Sequence, residues 1–165
     1  KPTKAYHTVS PSMDIQVASN FERLIFDVCS RNSSRTSKLM GDLNKKGKFE
    51  IEKKELSKIK DHFISESLSE EETKLVINRI YKSKKILIDP HTAVGLGVLK
   101  KIPLKGNTIT LATAHPSKFS EVVAKSTSLK PELPEKLKNI LIKKESYAKL
   151  PNDLKTIQKY ILKKI

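Results

Sequence analysis

Along most of the chain the apolar residues recur three and four positions apart, and this regularity makes most of the fold packed amphipathic helices. Phe21, Leu24, Ile25 and Val28 stand at i, i+3, i+4 and i+7 behind Ser19-Asn20-Phe21-Glu22, a Ser-x-x-Glu capping box, so a helix is predicted to about Arg31. Cys29 flanks that stripe and reads as a buried structural thiol. A second helix is predicted from Thr36 to Lys46, carrying Leu39, Met40 and Leu43 and stopping at Gly47. A third spans about 52–63 and turns Leu56, Ile59 and Phe63 inward. Ser69 and Glu72 form another capping box. Glu70 and Glu71 suit the positive start of that helix, Lys82, Lys84 and Lys85 suit its end, and Val76 and Ile80 point inward. Asp89 reads as an N-cap and Pro90 as the first helical position of a helix to about Lys101. Ser117 is placed as the cap of a helix carrying Phe119, Val122 and Val123. Pro131 and Pro134 mark a loop into a short helix with Leu137 and Leu141. The last helix runs from about Asn152, with Leu154, Ile157 and Ile161 in register.

Strand signals are fewer. Residues 8–17 read as extended chain, since Pro11 excludes an early helix. Phe49 to Ile51 reads as a short extended piece and Ile86-Leu87-Ile88 as a short buried strand. Asn107 to Ala114 is the strongest strand signal, being β-branched, apolar and free of charge. Strands separated by helices imply a parallel sheet. The expected class is therefore α/β: helix-rich, with few short parallel strands covered by helices. Residues 33–85 are dense in charge and almost purely helical, and read as a helical subdomain on an α/β body. Two or three strands cannot form a well-covered sheet alone, so partner strands are expected elsewhere in a longer protein. The first residue, Lys1, is not Met, which fits the same expectation.

No basic stretch followed by an apolar run opens the sequence, and runs such as Val94 to Leu99 are far too short to cross a bilayer. A single cysteine gives no internal disulfide and suits a reducing compartment. The expectation is a soluble cytoplasmic protein with no membrane partner. A net charge of +15 would ordinarily point to nucleic acid. However, 29 of the 33 cationic residues are lysines spread along the chain, whereas base-edge and phosphate readers lean on the arginine fork. Solvated surface lysine is the preferred reading, and a basic nucleic-acid-binding module stays as the alternative.

The residues name no self-contained active site. His7, His62, His91 and His115 lack metal-ligand spacing, so no metal site is expected. No nucleophile elbow or phosphate loop is present, and Gly95-Leu96-Gly97 lacks the third glycine of a dinucleotide fingerprint; it reads as close helix packing. Two places could face a ligand. Thr113 lies near the carboxyl end of the expected 107–114 strand, between the small residues Ala112 and Ala114, where α/β sheets place ligands. The helix start at Asp89 and His91 could present polar groups to a pocket. On composition alone, a strand threonine bonded to local backbone and a well-capped helix account for both.

Taken together, four segments carry more. Thr8 to Asp27, with its Ser12-Met13-Asp14-Ile15 core, resembles the Ser-Met-Asp-Ile segment of long-form threonine synthases. Asp89 to Gly95 (Asp-Pro-His-Thr-Ala-Val-Gly), Leu111 to Phe119 (Leu-Ala-Thr-Ala-His-Pro-Ser-Lys-Phe) and Leu150 to Leu154 (Leu-Pro-Asn-Asp-Leu) resemble later landmarks of that family, in the same order. The resemblance implies the C-terminal portion of a fold-type II, tryptophan-synthase-β-like enzyme that uses pyridoxal 5'-phosphate (PLP). It implies conversion of O-phospho-L-homoserine and water to L-threonine and phosphate. In that family a Schiff-base lysine and a Gly-rich phosphate loop precede the segment matched by Thr8, and neither occurs here. The chain therefore needs the N-terminal half of the same protein as its partner, carries no catalytic residue of its own, and should be inactive alone. One cofactor contact is implied: the threonine of the Thr-Ala-His-Pro segment, here Thr113, hydrogen-bonds the pyridine nitrogen of PLP. With the resemblance added, this reading of Thr113 displaces the local one. Asp89, His91 and His115 are implied pocket neighbours, and Ser12 and Asp14 receive no role. Another fold-type II PLP enzyme with a different substrate, or a non-catalytic paralogue kept for partner binding, remains open.

Overall fold

The computed structural model describes residues 1–102 and 104–165. Among them are seven α-helices: α1 (Phe21–Val28), α2 (Ser33–Lys46), α3 (Lys53–Lys60), α4 (Glu70–Lys84), α5 (Pro90–Lys101), α6 (Ser120–Thr127) and α7 (Leu154–Leu162). The chain divides into two compact units, Lys1–Glu132 and Leu133–Ile165.

The first unit holds two apolar clusters. In one, Ile25 and Cys29 from α1 and its C-cap meet Leu39 of α2, with Met40, Phe49 and Ile51 packed around them. In the other, Val76 and Ile77 of α4 meet Ile88 and Ala93, joined by Ile80 and Leu96. Helix α4 packs against both α5 and α6, and the Asn78 side-chain amide donates to the Ser126 carbonyl at 2.6 Å, closing the end of α6.

Several helix boundaries follow from their caps. Ser69 and Glu72 form the expected reciprocal box at the start of α4. Gly47 ends α2 in the left-handed conformation at φ +67°, which costs a glycine little. Other local readings need correction. Ser19 does not cap α1: Ala18 already accepts from the Phe21 amide at 3.0 Å, and Asn20 is itself helical, so a turn runs directly into the helix. Pro11 does not hold its segment extended but starts a 3-10 turn, Pro11–Met13, where its missing N–H costs nothing. In α3, Leu56 is exposed and the buried residue is Glu55, while Phe63 lies beyond the end of the helix and is exposed. His115, not Ser117, caps the turn Pro116–Phe119 that leads into α6. The expected helix with Leu137 and Leu141 is two separate 3-10 turns, Glu135–Leu137 and Ile140–Ile142.

The largest correction concerns the sheet. No β-strand occurs among the described residues, so the expected few parallel strands are not formed and the fold here is helical. Asn107 to Thr113 has no regular secondary structure and Ala114 lies in a bend, because a strand is defined by a ladder, and no neighbouring edge among the described residues supplies one. Its apolar side chains stay in solvent, with Ile109 87% and Leu111 73% exposed. Of Ile86 to Ile88, only Ile88 is buried. In the second unit, α7 starts at Asp153, which accepts from the Thr156 amide at 2.7 Å, and buries none of its residues. No helix among the described residues is long and apolar enough to cross a membrane.

Candidate functional site

The first turn of α5 is a buried polar knot. Asp89 is 1% exposed. Its Oδ1 accepts from the His91 amide at 2.9 Å and the Thr92 amide at 3.4 Å, as an N-cap carboxylate should. The same oxygen lies 3.0 Å from His91 Nδ1. His91 Nε2 accepts from the Ser12 amide at 3.3 Å. A backbone N–H can only donate, so Nε2 carries the lone pair, the ring proton sits on Nδ1, and it points to Asp89. The imidazole also packs against the Phe119 ring, centroids 4.8 Å apart and tilted by 60°. Three segments distant in sequence, around residues 12, 91 and 119, thus converge on one ring.

The other Asp89 oxygen, Oδ2, accepts from the Thr92 hydroxyl. Thr92 Oγ1 in turn accepts from the backbone amide of Thr113 at 3.3 Å. The start of α5 therefore tethers the 107–114 segment at Thr113. Close approach helps: a Cβ placed on Gly95 would lie 3.2 Å from Thr110 Cγ2, so the glycine lets this segment run beside the helix. Thr113 itself is exposed, and its hydroxyl takes part in no hydrogen bond among the described residues.

The structure brings Asp89 and His91 together and ties Thr113 to them through Thr92. His115 is exposed and engaged locally, its Nδ1 accepting from the Ser117 amide at 3.2 Å and lying 2.7 Å from the Ser117 hydroxyl. Sequence reasoning missed Thr92; an N-capping Asp followed three residues later by a Thr was the available signal. It also left Ser12 and Asp14 without roles. The Ser12 amide docks on His91. Asp14 braces the same loop, accepting the Thr8 amide at 2.8 Å and the Thr8 hydroxyl at 2.7 Å. These bonds, the hydroxyl foremost, hold the Asp14 carboxyl below the usual carboxylate range. Glu70 at the start of α4 fixes the loop from the other side, accepting from the Val9 amide at 3.0 Å.

An open groove of about 630 Å³ runs past Thr8, Val9, Glu70, Lys74 and Phe119. Thr113, Asp89 and His91 do not line it. Two of its lysines are already paired, Lys74 with Glu70 at 3.6 Å and Lys125 with Glu121 at 2.6 Å. Among the described residues no cluster of His, Cys, Asp and Glu could hold a metal ion.

Residues 92–161 match the family described as threonine synthase, C-terminal. Over 157 residues the chain is 37% identical to the threonine synthase of Pseudomonas aeruginosa, covering 93% of this chain and 34% of that protein. The crystal structure of PLP-bound threonine synthase from Brucella melitensis superposes with a TM-score of 0.78 at 36% identity, covering 98% of this chain and 35% of that one. The chain is similar to the C-terminal portion of the threonine synthase family. Yeast threonine synthase is similar too, with a TM-score of 0.75 at 30% identity over 100% of this chain and 38% of that one. The chain thus spans about a third of the length of the threonine synthases it matches. PLP is a cofactor of this family, as the Brucella structure carries it. The residues present fit the group in one respect: Thr113 offers an exposed hydroxyl with no partner among the described residues, a neutral donor suited to a ring nitrogen.

Proposed function

We propose that the protein carrying this chain is a threonine synthase that converts O-phospho-L-homoserine and water to L-threonine and phosphate, a carbon–oxygen lyase working in the cytoplasm. The observation that carries this reading is the likeness over 98% of the chain, at 36% identity, to a PLP-bound threonine synthase. PLP, when bound, supplies the electron sink that lets the substrate's phosphate leave and water add. In this proposal the lysine that anchors the cofactor and the loop that grips its phosphate belong to an N-terminal portion, so this chain alone is inactive.

The role proposed for this chain is to present Thr113. A threonine hydroxyl is neutral at working pH and can donate to an unprotonated pyridine nitrogen, whereas a carboxylate partner would favour a protonated one. Asp89 and His91 are proposed as the support behind that presentation, since both are buried and tied to each other. His115 is proposed as a neighbour that shapes the turn just after Thr113.

The test is an assay of the full-length protein with PLP and O-phospho-L-homoserine, reading phosphate and threonine together. Equal release of both is expected, with none from the 165-residue chain alone. Turnover of a different amino-acid substrate in its place would point to another fold-type II PLP enzyme. Absence of any PLP-dependent turnover would overturn the reading.

A further inference from the structure

We infer that Thr92 is a positioning residue for Thr113, holding its backbone so that the hydroxyl faces the cofactor ring; this rests on the proposed role of Thr113. The hydrogen bond from the Thr113 amide to Thr92 Oγ1 is the one polar tether of the 107–114 segment among the described residues. Beside that bond, the close approach of Thr110 to Gly95 sets the segment against α5.

The direction of the bond is forced. Thr92 is buried, and its single hydroxyl proton goes to Asp89 Oδ2. Only lone pairs are left facing the Thr113 amide, which can only donate. Asp89 Oδ1 is already occupied by the two helix amides and the imidazole, so Oδ2 is the oxygen free to orient Thr92. Fixing the amide nitrogen of Thr113 constrains its Cα–Cβ direction, and with it the arc its hydroxyl can sweep. An ordinary N-cap would need none of this, because Asp89 satisfies the first-turn amides through Oδ1 alone.

The experiment uses the full-length protein and compares Thr92→Val, Thr92→Ser, Thr113→Val and the double variant Thr92→Val with Thr113→Val. The readouts are PLP dissociation constant, the absorption maximum of the bound cofactor, and kcat and KM separately. Thr92→Val should weaken PLP binding roughly tenfold, the loss typical of one well-placed hydrogen bond, and shift the cofactor absorption. Its effect should fall on kcat more than on KM. Thr92→Ser, which keeps the hydroxyl, should restore all three. If Thr92 acts through Thr113, Thr92→Val should add nothing in the Thr113→Val background. Additive losses in the double variant, or a Thr92→Ser protein as impaired as Thr92→Val, would overturn the inference. If Thr92→Val does not fold, Thr92→Ala replaces it in the same comparison, and an impaired Thr92→Ser still counts against the inference. Should Thr113→Val leave PLP binding and spectrum unchanged while Thr92→Val alters them, the reading of Thr113 fails instead.

Discussion

Replacing Glu55 with Gln should destabilise the Lys1–Glu132 unit by about 2 kcal/mol at neutral pH. Glu55, on α3, is 3% exposed and reaches Arg35 of α2 and Cys29 at the end of α1. Its carboxylate accepts from Arg35 Nε at 3.2 Å and Nη2 at 3.1 Å, from the Cys29 thiol at 3.3 Å and from the Glu52 amide at 2.7 Å. The Arg35 bonds, with the Glu52 amide helping, outweigh burial and bring its pKa from 4.5 to about 2. At about 1.4 kcal/mol per pH unit, that depression corresponds to an upper bound of roughly 3.5 kcal/mol. The Arg35 side chain is 26% exposed, so solvent screening lowers the figure to about 2 kcal/mol. Gln keeps the shape but leaves Arg35 without its closest counter-charge. Because the folded-state pKa lies below the unfolded one, this stabilisation is fully present above about pH 4.5 and fades as pH falls toward 2. Urea unfolding of both proteins at pH 7 and through the acid range is the assay. A wild-type slope steeper than that of Glu55→Gln between pH 4.5 and 2 is expected. A loss below about 0.5 kcal/mol, within the range of an ordinary surface change, or identical acid slopes would refute the reasoning.

Cys29 should resist thiol reagents in the folded protein, because burial first, and the Glu55 carboxylate next, push its thiol pKa up. Labelling at pH 8 at least about tenfold slower than in urea is the expected result. Gly97→Ala should cost about 1 kcal/mol, since its Cβ would fall 2.1 Å from Leu68 Cδ1 and force that side chain to turn away. Combining it with Leu68→Ala should cost less than the sum of the two single changes, as read from unfolding midpoints.

Local signals were the legible ones. Gly47, the Ser69–Glu72 box and the Asp89–Pro90 start each act within one helical turn, and each ends or starts its helix as the sequence implies. Glu55 was not legible: a glutamate in a lysine-rich helix reads as solvated, and its partner Arg35 lies on another helix. The 107–114 segment has strand composition, but pairing depends on an edge that nothing in its own residues can provide. At the candidate site, Asp89 and His91 could be placed on a helix start from sequence, and Gly97 was legible as a close-packing glycine. The docking of Ser12 on His91 and of Thr113 on Thr92 spans 79 and 21 residues, and no periodicity records such contacts.

Cofactor affinity of the full-length protein carrying Thr113→Val, set beside Thr113→Ser, tests the central claim most directly. Loss of one donor to the ring nitrogen should weaken PLP binding roughly tenfold and slow turnover, with serine close to wild type. PLP affinity and rate in Thr113→Val equal to wild type would contradict the account.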